Sequence, residues 1–90
     1  MIHKITESLE EIAKSVKSSS DPKKIEEAIR TTRSLLKNFA ATNGHLQKIQ
    51  QLDQELTTWQ SKLAIILKEP IGRQGMAKHA QFWVEELRKA

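Results

Sequence analysis

The residues able to do chemistry in this chain are few and scattered. It has three histidines, His3, His45 and His79, and no cysteine. No two histidines lie three or four residues apart, so no helix can offer one metal ion a pair of imidazoles, and an HExxH segment is absent. The carboxylates come as neighbours, Glu10-Glu11, Glu26-Glu27 and Glu85-Glu86. They lack the Glu-x-x-His spacing that a di-iron bundle places on facing helices. No serine stands in a nucleophile elbow. The expectation is therefore no catalytic residue, no metal, no cofactor and no small-molecule substrate.

Positive charge is the remaining resource. The net charge is +4, from 15 basic and 11 acidic residues. Lys23, Arg30, Arg33 and Lys37 share one face of a helical stretch and form a candidate phosphate track. Arg73 and Lys78 form a second basic group. Tyrosine is absent, and the two Trp and two Phe mostly fall on apolar stripes, which argues against a base-stacking platform. A nucleic-acid-binding module is accordingly the alternative reading and not the first.

The elements that must position these residues are helices. Ninety residues make one domain with a modest core. The central stretch, His45 to Glu69, carries Ile49, Leu52, Leu56, Trp59, Leu63 and Ile66 at steps of 3, 4, 3, 4, 3. That alternation puts six apolar side chains in one seam. Opposite the seam run Gln47, Gln51, Gln54, Thr58 and Ser61, an uncharged polar stripe that offers an alternative contact surface. Between Ile49 and Ser61 only Asp53 and Glu55 are charged.

Before it, Ile2, Ile5, Leu9, Ile12 and Val16 step by 3, 4, 3, 4, and Glu10 stands four residues before Lys14 as an exposed pair. Asp21-Pro22 reads as an N-cap followed by proline in the first helical position, with Ser20 as an alternative cap. Ile25, Ala28, Ile29, Thr32, Leu35, Leu36, Phe39 and Ala40 then make a broad stripe, and Asn43-Gly44 ends it. Pro70 to Gly75, PIGRQG, reads as a true loop. A last helix follows, with Met76, Ala80, Trp83 and Leu87 inward.

The fold class expected is all-α. It is a small antiparallel bundle with up-down connectivity, three long helices plus a shorter fourth, over about 2–17, 22–42, 45–68 and 76–89. No signal peptide is legible near Met1, and Leu63 to Leu67 is far too short an apolar run to span a bilayer. A soluble, cytoplasmic protein is expected.

Two local resemblances bear on function. Ile71-Gly72-x-x-Gly75 resembles the loop with which KH domains approach nucleic-acid phosphates, and it would bring backbone close to a phosphate. Arg73, five intervening residues and His79 resemble the Arg/His pair of HEPN-type ribonucleases. That resemblance implies His79 as general acid or base and Arg73 as the phosphate-holding group.

The first reading stays with binding. Ile65, Leu67, Ile71, Phe82 and Val84 lie off the seams, and such residues, if left uncovered, mark partner sites. The simplest packing sets Phe82 near Ile65 or Leu67. A small non-enzymatic module that binds another protein or a second copy of itself is expected, with nucleic acid as the less favoured partner.

Overall fold

A computed structural model describes residues 2–18, 21–44 and 47–89. The alternative cap at Ser20 and a helix start at His45 lie outside the described residues. Four helices follow in order: α1 (Ile2–Ser18), α2 (Pro22–Asn43), α3 (Gln47–Lys68) and α4 (Pro70–Lys89). No strand occurs among the described residues. The body measures 37 × 22 × 18 Å. A 22-residue helix is about 33 Å long, so the helices lie along the long axis.

Each helix packs on its neighbours in the chain, and α4 closes the ring against α1 in the most extensive contact. Cross-links between helices show the alternation of direction. Lys48 pairs with Glu86 while Leu67 accepts from Arg73, so α3 and α4 run antiparallel, and Glu10 meets Arg88 while Lys17 lies beside Ala77 and Phe82, so α1 and α4 do too; Ser8 bonds Thr32 midway along α1 and α2. The Glu10–Arg88 pair, at 2.6 Å, takes the place of the expected Glu10–Lys14 pair. The partner on the facing helix ties α4 to α1, which a pair within α1 would not do.

The expected seams are the core. Ile5, Leu9, Ile12 and Val16 of α1 and Ile25, Ile29 and Leu36 of α2 are all buried in one core cluster. Both tryptophans are nearly dry, Trp59 6% and Trp83 8% exposed. Buried Thr6 and Thr32 donate to the His3 and Ala28 carbonyls within their own helices. Among the described residues no buried side-chain nitrogen or oxygen lacks a partner.

The caps of α2 are built as the residue types require. The Asp21 carboxylate accepts from the Lys23 N–H at 3.0 Å, and Pro22 follows in the first turn. At the other end the Gly44 N–H donates to the Ala40 carbonyl at 2.8 Å. Gly44 has φ +86° and ψ 172°, a region open essentially to glycine alone.

Two expectations need correction. The segment 70–75 is not a loop but the start of α4, so the fourth helix has 20 residues and α1, with 17, is the shortest. Only Glu69 separates α3 from α4. Proline suits a first helical turn, and the turn after it is held by contacts with α3. A Cβ at Gly72 would overlap the Ile66 carbonyl oxygen, so only glycine lets α4 start this close to the end of α3. Arg73 Nε donates to the Leu67 carbonyl at 3.0 Å and so satisfies an otherwise open group at the end of α3.

The second correction concerns the end of the α3 seam. Its last buried member is Leu67, while Ile66 is half-buried beside it. Ile49 to Leu67 is 18 residues, about five whole turns, whereas the 3-4-3-4-3 pattern lags behind a helix of about 3.6 residues per turn. α3 is also interrupted at Lys62, with φ −109° and ψ 15°. Just before it, Thr57, Thr58 and Ser61 each donate to the carbonyl four residues back, at 2.8, 3.1 and 3.0 Å. Such back-bonding competes with the helix ladder and bends it.

Candidate functional site

The five apolar residues expected to form one contact surface separate into three environments. Leu67 and Val84 are core, 7% and 1% exposed. Leu67 ends the α3 seam, and Val84 belongs to the wide arc that α4 needs because it packs on both α1 and α3. Ile65 is 72% exposed, Ile71 79% and Phe82 52%. Phe82 therefore does not cover Ile65, and the pairing of Arg73 with Leu67 and of Trp83 with Glu55 places Phe82 at the level of Glu55, away from Leu67.

Helical phase explains the division. Ile65 follows Gln54, Thr58 and Ser61 at steps of 4, 3, 4, so it extends the uncharged stripe on the outer side of α3. Gln47, Gln51, Gln54, Thr58 and Ser61 are all exposed, as that surface requires. Ile71 and Phe82 are eleven residues apart on α4, three turns plus about 20°. They share its outer stripe with Gln74, Lys78, Glu85 and Lys89, all exposed. Gly75 lies on this stripe between them.

Phe82 is held from behind. Its ring meets the Trp83 ring edge to face, with centroids 5.5 Å apart. Trp83 is fixed in turn, because its Nε1–H donates to Glu55 Oε1 at 2.6 Å. The other Glu55 oxygen lies 3.1 Å from His79 Nδ1. This Trp83–Glu55–His79 chain joins α3 to α4 at the edge of a cleft of about 240 Å³, lined in part by Trp59, Met76 and Gly75. A second cleft, of about 290 Å³, lies beside Phe82 on the α1 side and includes Lys17 and Ala77. The outer ridge of α4 is thus flanked by a hollow on each side.

Glu55 and Trp83 were not singled out as a pair by residue type or spacing, since their partnership crosses two helices. A signal existed nonetheless. Asp53 and Glu55, the two charges between Ile49 and Ser61, both reach neighbouring helices.

The basic groups are partly engaged within the chain. Arg33 Nε donates to Asp53 at 3.1 Å and its Nη1 to Gln60 at 3.0 Å, which turns it from the proposed track toward α3. Arg30 pairs with Glu26 at 2.8 Å. Arg73 is bonded to the α3 terminus. Lys23, Lys37 and Lys78 remain exposed. The α2 group and the α4 group lie on diagonal helices, so they do not merge into one surface.

Arg73 and His79 do not converge on one site. Six residues along a helix place them about 120° apart, with Arg73 bonded to Leu67 and His79 to Glu55. Nor does Gly72-x-x-Gly75 form an open loop, since both glycines are helical. Among the described residues no cluster of three metal-binding side chains occurs, and no helix is long and apolar enough to cross a membrane. No protein-family model, no curated protein and no solved structure matches the chain.

Proposed function

We propose that this is a small cytoplasmic helical module that works by binding protein, and that its contact surface is the outer stripe of α4. One observation carries the reading. Of the three large apolar side chains exposed among the described residues, Ile71 and Phe82 stand on a single stripe of one helix. Isolated exposed apolar residues are ordinary, but aligned ones on a rigid helix offer a partner ready-made anchors. Phe82 suits that role because the ring of Trp83 and the bond to Glu55 restrict it before any partner arrives.

Photo-crosslinking from residues 71 and 82 tests the reading in cells of the source organism, with exposed Glu27 on α2 as the control position. Protein adducts from 71 and 82, and none from 27, are the expected result. No adducts, or equal adducts from all three positions, would remove this surface.

A further inference from the structure

We infer that the cleft between α2 and α3 binds a small organic acid, a single carboxylate on a short apolar body. The inference concerns a different side of the molecule from the surface proposed above and stands independently of it.

The cleft has a volume of about 280 Å³ and exists because of where α2 changes character. Its large buried residues end at Leu36 and Phe39, and Ala40 and Ala41 follow. Two methyl side chains leave unfilled the space that they share with Ile49 of α3. The floor is apolar, with Leu36 and Ile49 2% and 4% exposed. An apolar cavity of about 150 Å³ is large enough for benzene, so this cleft takes one ring or a chain of about eight carbons, and a full-length lipid would not fit.

Charge at the rim selects the ligand. Three polar residues border the cleft, Lys37, Gln50 and Asp53. Asp53 already pairs with Arg33 at 3.1 Å, and Arg33 also donates to Gln60. That bridge ties α2 to α3 one turn before Lys37 and leaves the Asp53 carboxylate neutralised. Lys37 is exposed and has no hydrogen bond or ion pair among the described residues. The charge left over beside the apolar floor is therefore positive. An amine would meet Lys37 as a like charge, and a neutral head would leave it unpaired, whereas a carboxylate pairs with it. The amide of Gln50 offers a neutral donor from the other helix. The net charge of +4 favours the approach of an anion from farther away.

The exposure of Lys37 limits what the head contributes. An ion pair in contact with water adds only a few-fold in affinity, so most of the binding comes from the apolar body. Octanoate, with about ten non-hydrogen atoms, should bind with a Kd on the order of 0.1–1 mM.

Octanoate, octanol and octylamine share one chain and differ in the head, so together they test the assignment. In amide NMR spectra of the full chain, octanoate should shift residues 36–41 and 49–53 and approach saturation by about 5 mM. Octanol should bind there about 2–5-fold more weakly, and octylamine more weakly still. Lys37→Gln should remove the preference for octanoate and leave octanol binding unchanged. Ala41→Leu, at an exposed position, should fill the cleft and weaken octanoate about tenfold with helicity kept. No shift of these amides at about 5 mM octanoate, or shifts centred elsewhere, would overturn the site. A folded Ala41→Leu variant with full octanoate binding would do the same. Octylamine binding as tightly as octanoate, or a Lys37→Gln variant that keeps the preference, would overturn the choice of an acid.

Discussion

Gly72 and Gly75 stand three residues apart in α4 and lack side chains for opposite reasons. Gly72 faces inward at the corner, where the end of α3 leaves no room for a methyl group. Gly75 faces open space on the outer stripe. The first is a condition of the fold. The second weakens the helix without a close contact to account for it, and it borders the cleft between α3 and α4. One helix thus has an inner side whose residues are explained by what they touch and an outer side whose residues are not.

Substitutions on the two sides sharpen the contrast. Gly72→Ala should have the largest effect, a loss of about 2–3 kcal/mol, because the added carbon collides with backbone that cannot swing aside. In a domain of this size that lowers the melting temperature by roughly 10–20 °C. A loss below about 0.5 kcal/mol in urea unfolding would show that the corner adjusts freely and that the two glycines are alike.

Trp83→Phe keeps most of the ring and removes the indole donor from Glu55. A loss of about 1–2 kcal/mol is expected, since a half-buried carboxylate oxygen is left without that bond. A Glu55→Gln variant in the same unfolding assay keeps an oxygen for Trp83 and removes the charge from both the Trp83 and the His79 contacts. Equal stability of Trp83→Phe and wild type would detach Phe82 from the support proposed for it.

On the outer side the sign reverses. Gly75→Ala should stabilise the chain by about 0.5–1 kcal/mol through helix propensity alone. A loss instead would reveal an internal reason for the glycine. The smallest effect belongs to Phe82→Gln, within about 0.5 kcal/mol of wild type. A larger loss would mean that Phe82 serves the core and is not held ready for a partner.

Much of this architecture is legible in residue order. The seams of α1 and α2 follow from alternating steps of three and four, and Asp21-Pro22 announces the start of α2. The start of α4 is not legible. PIGRQG has two glycines, a proline and no apolar period, and by local preference it is a loop. It becomes helix because Gly72 fits against Ile66 and Arg73 bonds to Leu67, contacts that exist only after the chain has turned back on α3. The candidate surface was half legible for a similar reason. Ile65, Ile71 and Phe82 lie off the seams and stay wet, while Leu67 and Val84 also lie off the expected seams and are buried. Phase along one helix says which residues share a side but not how many neighbouring helices that side meets.

The amino-acid order alone settled that this chain makes four amphipathic helices, because helical period and capping are written within a few residues of each other. It also settled that the polar residues lack the spacings of familiar metal and nucleophile motifs. Only the folded bundle decided which apolar residues outside the seams remain in water, which acids reach across to a neighbour, and which glycine has a reason inside the molecule. Those outcomes depend on the distance between α3 and α4, and no stretch of either helix read by itself contains that distance.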